Sequence, residues 1–328
     1  MTDGAPDVGV MFRRELAPET LTSFARAVES QGFDEVWLVE DLGWAGGLTS
    51  AAHALAITST IRVGLGVMPA PARNPAFLAM EITTLARLHP GRFLPGIGHG
   101  VAHWMDQVGA LPDSQLEALE SVLVAVRLLA AGQDVTLDRP SARVKDLKLE
   151  FPAQWLAPVA AGVRGPRSLE LSGRVADGTI LAEPASPPYV AWARQQIEAG
   201  RTAGDRRDDH RVTVFVLHAL DDDSSAAIEA LRTPVAGSLM GEASGQLAPL
   251  GIEAEVTVLR DQGFDALAAG LQPDWIRALT VAGDPDLCAQ AVLALGEAGA
   301  DSVVLVPVVG EPETAANEFA ERVLPLLR

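Results

Sequence analysis

Residues 61–100 read IRVGLGVMPAPARNPAFLAMEITTLARLHPGRFLPGIGHG, and this stretch decides the fold. Ile61 to Val67 is an apolar, β-branched run. A proline-rich corner follows, then Pro75 to Leu88 with apolar residues at helical period, then a second apolar run, Phe93 to Ile97, ending in Gly98-His99-Gly100. Two short buried strands joined by one helix make a right-handed parallel crossover, the unit of both doubly wound sheets and closed barrels. In either architecture reactive groups gather where strands end, so Val67-Met68-Pro69 and Gly98-His99-Gly100 belong to one functional face.

The unit recurs in both directions along the chain. Further strands are expected at Val8 to Phe12, Asp34 to Glu40, Trp155 to Ala161, Asp177 to Leu181, Arg211 to Leu220 and Ser302 to Val306. Helices are expected at Pro18 to Ser30, Thr49 to Ser59 with Thr49 as its cap, Gln115 to Ala130, Pro188 to Ala199, Pro285 to Ala298 and Glu313 to Leu327. Val135 to Glu150 alternates like a surface hairpin. Residues 222 to 284 exceed one crossover and read as a helical insertion before the last strand. Eight strands alternating with helices predict a single (β/α)8 TIM barrel over residues 1–328, since such barrels take ~250 residues and more with insertions. The open doubly wound sheet has less support, because no G-x-G-x-x-G separates the first strand from the first helix.

With 25 basic against 43 acidic residues the net charge is −18. Nucleic acids and anionic membranes need a basic face, so neither is an expected partner and a small-molecule substrate is. The single cysteine, Cys288, cannot pair within the chain. With no basic, apolar leader at the start and no window near the ~20 apolar residues of a membrane span, the expected setting is the cytoplasm.

Three clusters carry candidate chemistry. Glu40 and Asp41 follow a buried strand, and two close carboxylates tend to share a proton, which makes them candidate acids. Gly98 and Gly100 leave room for a flat ring or a phosphodiester chain, and His99 or His103 stands ready to donate a hydrogen bond or proton. Their i, i+4 spacing also suits a metal pair, but no HExxH pattern or cysteine set completes one, so no metal is expected. Gly162 and Gly165 let backbone approach an anion; Pro166 presets a helix start; the amides of Arg167 and Ser168 face outward at its positive end, with Arg164 or Arg167 for a bidentate contact. Phe12, Trp44 and Trp104 are candidate walls of a substrate pocket. Beside these stand plainer readings: a tight turn with surface histidines, an ordinary helix start, an acid capping the next loop, and aromatic packing.

The segments GFDEVWLVED, residues 61–100, GPRSLELSGRVADGTIL and AGDPDLCAQAVLALGEAGADSVVLVP resemble the superfamily of bacterial-luciferase-like flavin monooxygenases and coenzyme F420-dependent oxidoreductases. The resemblance spans nearly the whole chain, and PDWIRALTVAGDP is similar to the methylenetetrahydromethanopterin reductase-like branch, which transfers hydride. It implies a (β/α)8 barrel with an insertion near strand seven, a homodimer, and coenzyme F420, with FMN the alternative. It further implies a cofactor phosphate near Gly165 to Ser168. A non-proline cis bond at Gly66-Val67, next to Met68, is implied behind the ring. Many F420-using relatives carry Asp-His where this chain has Glu40-Asp41, so Asp41 stands at the histidine's place as a candidate proton donor. An FMN-dependent monooxygenase and a barrel that binds cofactor without turnover are the other readings.

Overall fold

The computed structural model describes residues 4–153, 158–241 and 243–328. Its strands are β1 (Asp7–Met11), β2 (Glu35–Leu38), β3 (Arg62–Pro69), β4 (Phe93–Gly98), β5 (Val135–Arg139), β6 (Ala142–Leu147), β7 (Ala160–Gly162), β8 (Gly178–Leu181), β9 (Arg211–Leu220), β10 (Thr280–Gly283) and β11 (Ser302–Pro307). Eight of them, β1-β2-β3-β4-β7-β8-β9-β11, pair in parallel and close, because β11 bonds both β9 and β1 while β8 bonds β9. This is the (β/α)8 barrel, with the β5–β6 hairpin as a separate antiparallel pair.

Local chemistry explains the elements that position the site. Helix Pro75–Leu88 starts where Asn74 accepts from the amide of Ala76 at 2.9 Å, with Pro75 at the first helical position, a capped start that needs no donor from the proline. The strands between helices are apolar on both faces because one side meets the helical layer and the other fills the lumen. Inside the lumen, the indole of Trp37 lies on Gly64, where an added Cβ would come within 2.2 Å of the ring. Phe215 meets Trp37 edge-on at 5.2 Å. Trp37, Ile180, Phe215, Leu217, Val304 and Val306 form one buried cluster with Leu231, Val235, Leu239 and Ile276 of the insertion. The insertion therefore caps part of the lumen, while a larger cluster fills the layer between strands and outer helices.

Several boundaries differ from expectation. β2 ends at Leu38, so Glu40 and Asp41 sit in the loop beyond it. Thr49 does not cap its helix; the helix begins at Gly47, whose amide donates to Glu40 Oε2 at 3.2 Å. The start of the expected fifth strand, Trp155, lies outside the described residues, and its described part is Ala160–Gly162. Residues 222–284 hold helices Ser224–Ala230, Arg232–Leu239, Ser244–Leu247, Glu253–Asp261, Phe264–Gly270 and Pro273–Ala278, but they end in β10 rather than in helix. β10 extends the sheet above β8, pairing with Leu217 to Leu220 of β9 on the side opposite β11. Cys288 is buried in helix Pro285–Glu297. Among the described residues no helix is long and apolar enough to cross a membrane.

Candidate active site

A cleft of about 650 Å³ opens at the carboxyl ends of the barrel strands. It is lined by Met11, Arg14, Glu40, Asp41, Gly66, Val67, His99, Gly100, Trp104, Gly162, Arg164, Glu183, Phe215 and Val306 among others. This is the face where barrel enzymes place their chemistry.

Its floor is built around Val67. The Gly66–Val67 peptide bond is cis, as the family resemblance implies. The Val67 side chain stands between β4 and β7: a Cβ on Gly98 would lie 2.5 Å from Val67 Cγ2, and one on Gly162 would lie 2.4 Å from Val67 Cγ1. Both glycines thus make room for a valine, where the sequence suggested room for a ring or an anion. Gly100 has φ +75°, and a Cβ there would press on Met105 and Pro69. Met68 is fully buried in the core and is not part of the lining.

The two acids beyond the end of β2 each meet a different arginine. Glu40 is held by Arg73 through Nη1 at 2.5 Å and Nη2 at 2.9 Å, besides capping the helix at Gly47. Asp41 is held by Arg14 at 2.6 Å, and Arg14 also lies 5.8 Å over the half-exposed ring of Trp44. Each carboxylate therefore answers its own guanidinium.

His99 is likewise committed. Its Nδ1 faces the carbonyl of Gln115 at 3.1 Å and its Nε2 faces the hydroxyl of Ser168 at 2.9 Å. A carbonyl only accepts, so Nδ1 carries the proton and Nε2 accepts from Ser168. Burial lowers its basicity; the Gln115 contact opposes that and the Arg164 charge adds to it. The imidazole is a neutral tie between β4 and the start of helix Pro166–Val175, with no nitrogen left over for the cleft. His103 is exposed in helix Ala102–Gln107 and His99 precedes that helix, so the two share no helical face. Among the described residues no group of three or more His, Cys, Asp or Glu is placed to hold a metal.

Gly165, Pro166, Arg167 and Ser168 form the helix start beside the cleft, with open space around Gly165. Arg164 lines the cleft, and its carbonyl accepts from the buried Tyr189 hydroxyl at 3.2 Å. Phe12 turns the other way: it packs edge-on against Phe24 at 5.3 Å in the core, away from the cleft. Trp104 lines the cleft and Trp44 stands outside its lining.

The residue that sequence reading missed is Glu183, between β8 and the cis bond to Pro184. It lines the cleft, and unlike Glu40 and Asp41 it has no ion-paired arginine among the described residues. Burial holds its carboxyl above the usual carboxylate range; its own backbone amide and Arg164 oppose this, Asp41 adds to it, and Arg14 opposes it. A carboxyl whose pKa is raised in a cleft is a candidate acid. The only sequence signal was one acid just past an apolar strand, in LAEP.

A profile of luciferase-like monooxygenases matches residues 6–302. The 5,10-methylenetetrahydromethanopterin reductase of Methanolobus tindarius is 28% identical over 297 residues, covering 88% of this chain and 90% of that protein. An F420-dependent glucose-6-phosphate dehydrogenase of Kineococcus radiotolerans is 28% identical over 335 residues, covering 96% and 94%. The solved coenzyme F420-dependent tetrahydromethanopterin reductase from Methanopyrus kandleri superposes with a TM-score of 0.85 at 23% identity, covering 99% of this chain and 100% of that one, a likeness of fold.

Proposed function

This chain belongs to the luciferase-like monooxygenase family, and from that premise we propose that it is an oxidoreductase moving a hydride between coenzyme F420 and a small organic substrate. The observation that carries this reading is its similarity, along 96% of its length, to an enzyme named for F420 dependence. The residues of the cleft fit such a cofactor. Val67, seated between Gly98 and Gly162, offers an apolar shelf for one face of the ring. The amides of Arg167 and Ser168, at the positive end of a ten-residue helix beside the open space at Gly165, suit the phosphate. When bound, the deazaflavin supplies or accepts the hydride.

The chain's own groups do the rest. Glu183 holds a proton at its carboxyl and delivers it to a substrate that gains hydride. His99 fixes Ser168 and so the helix start. Glu40 and Asp41, each tied to an arginine, shape the rim. A second copy of the chain covers the apolar stripe that leaves Phe77, Met80 and Leu88 exposed on helix Pro75–Leu88, since a stripe of this kind marks an interaction surface.

Fluorescence titration with F420 and FMN, followed by consumption of reduced F420 over a panel of small unsaturated and carbonyl substrates, tests the reading. F420 should bind in preference to FMN, and at least one substrate should oxidise it. Preferential FMN binding would point to a monooxygenase; F420 binding without turnover on any substrate would point to a non-catalytic barrel.

A further inference from the structure

The corner that holds the acid of the cleft is contacted from the helical insertion that follows β9. Gln246 lies in helix Ser244–Leu247 of the insertion and is fully buried. Its Nε2 donates to the carbonyl of Ala182 at 3.0 Å and to that of Pro184 at 2.7 Å. These are the carbonyls of the residues on either side of Glu183. A primary amide nitrogen has two hydrogens, and both are spent on this one corner. The next residue back, Gly245, abuts the other wall of the cleft: a Cβ there would lie 3.3 Å from the carbonyl oxygen of Arg164.

Packing alone does not ask for this arrangement. Leu239, Leu247 and Ile252 of the same insertion belong to one buried apolar cluster, and Gln246 Oε1 is buried with no hydrogen-bond partner among the described residues. A leucine or methionine would fill the space without burying an unpaired oxygen. What the amide adds is two donors placed one residue before and one residue after the acid.

We propose that Gln246 is a positioning residue: by fixing the backbone on both sides of Glu183, the insertion aims that carboxyl into the cleft. This rests on the assignment of Glu183 as the proton source. Glu183 is faced by Arg164 from the loop after β7, Asp41 from the loop after β2 and Arg14 from the loop after β1. The Gln246 side chain makes its hydrogen bonds to the Ala182 and Pro184 carbonyls and to none of these three groups, so a change in the titration of Glu183 reports chiefly on the acid's own corner.

The test is Gln246→Met, which keeps length and volume and removes both donors. Carbon-13 NMR of glutamate-labelled protein follows the Glu183 carboxyl through a pH titration, its signal assigned by its loss in Glu183→Gln. In Gln246→Met the midpoint should fall toward the ordinary carboxylate range as the corner loosens and water reaches the acid, while F420 affinity stays within about threefold. With a turned-over substrate, kcat should fall ~10–100-fold at little changed KM, as for a misplaced catalytic group. An unchanged midpoint in a variant that still binds F420 would overturn the proposal, and so would a joint loss of F420 binding and of the shift, which would make Gln246 a general support of the cleft. If Gln246→Met does not fold, Gln246→Asn, which keeps the amide on a shorter arm without adding charge, is titrated instead and should give a smaller fall. The NMR readout needs no substrate. Failure of the F420 reading therefore appears as absent turnover in the wild type, and failure of the Gln246 proposal as an unmoved carboxyl.

Discussion

The two ends of the barrel treat buried charge in opposite ways. At the amino-terminal end, Glu35 is fully buried and accepts from Trp37 Nε1 at 2.7 Å, Ser302 Oγ at 2.7 Å and Arg211 Nη2 at 2.5 Å. Arg62 reaches it at 3.2 Å, and Asp7 takes both Arg62 at 2.7 Å and Arg211 at 2.6 Å. Two acids meet two arginines, and Trp37 and Ser302 add hydrogen bonds to Glu35, while Arg62 Nε and Arg211 Nε are buried without a hydrogen-bond partner among the described residues. At the mouth, Glu40 and Asp41 are answered in the same manner, but Glu183 is not. At the floor each acid is paired with arginine. Among the described acids that line the cleft, Glu183 is the one with no ion-paired arginine.

Breaking the floor should have the largest effect on stability. Glu35→Gln leaves Arg62 and Arg211 with less charge than they were built around, and losing one partner of a buried ionic cluster costs about 3–5 kcal/mol. Urea unfolding measures this, and the surviving folded protein should still bind F420. At the mouth the same change of residue acts on rate: Glu183→Gln should lower turnover by ~10²–10⁴-fold with F420 affinity retained in fluorescence titration. Gly98→Ala sharpens the geometry of the shelf. Its methyl would push Val67 from its seat at a cost of about 1–3 kcal/mol, as for other overpacked cores, and Val67→Ala in the same chain should recover part of the loss. Arg14→Met probes a pair exposed at the rim, where the ion pair contributes only about 0.2–1 kcal/mol, so thermal unfolding should barely shift.

Much of the frame was legible because it depends on local pattern. β9 and helix Pro75–Leu88 fall on the residues expected from apolar period and from the Asn74-Pro75 start. β10 was missed because four residues, TVAG, read equally well as the approach to the next helix; only the upper half of β9 gives them a partner. The site was less legible because its chemistry is made by distant pairs. Arg73 lies 33 residues from Glu40 and Arg14 lies 27 from Asp41, so neighbouring acids looked like partners of each other. Gly98 and Gly162 drew attention as room for a ring or an anion, and no local pattern shows that Val67 takes their space. Glu183 becomes an acid of interest only when β8, the arginine loops and Gln246 are brought around it, and none of these contacts is local.

The difference between the two ends is tested most directly by the pH dependence of stability in Glu183→Gln. Burial holds the wild-type carboxyl above its unfolded range, so the native state keeps its proton longer than the unfolded chain does. Native stability then falls as pH rises from the ordinary carboxylate range through the raised value, and the penalty is complete above it and absent in acid. Glutamine carries no such penalty. Urea unfolding across pH should therefore find Glu183→Gln more stable than the wild type at and above the raised value, and equal to it below the ordinary carboxylate range. A variant less stable than the wild type on the alkaline side would show that the mouth carboxyl is paired as the floor carboxyls are, and would contradict the account.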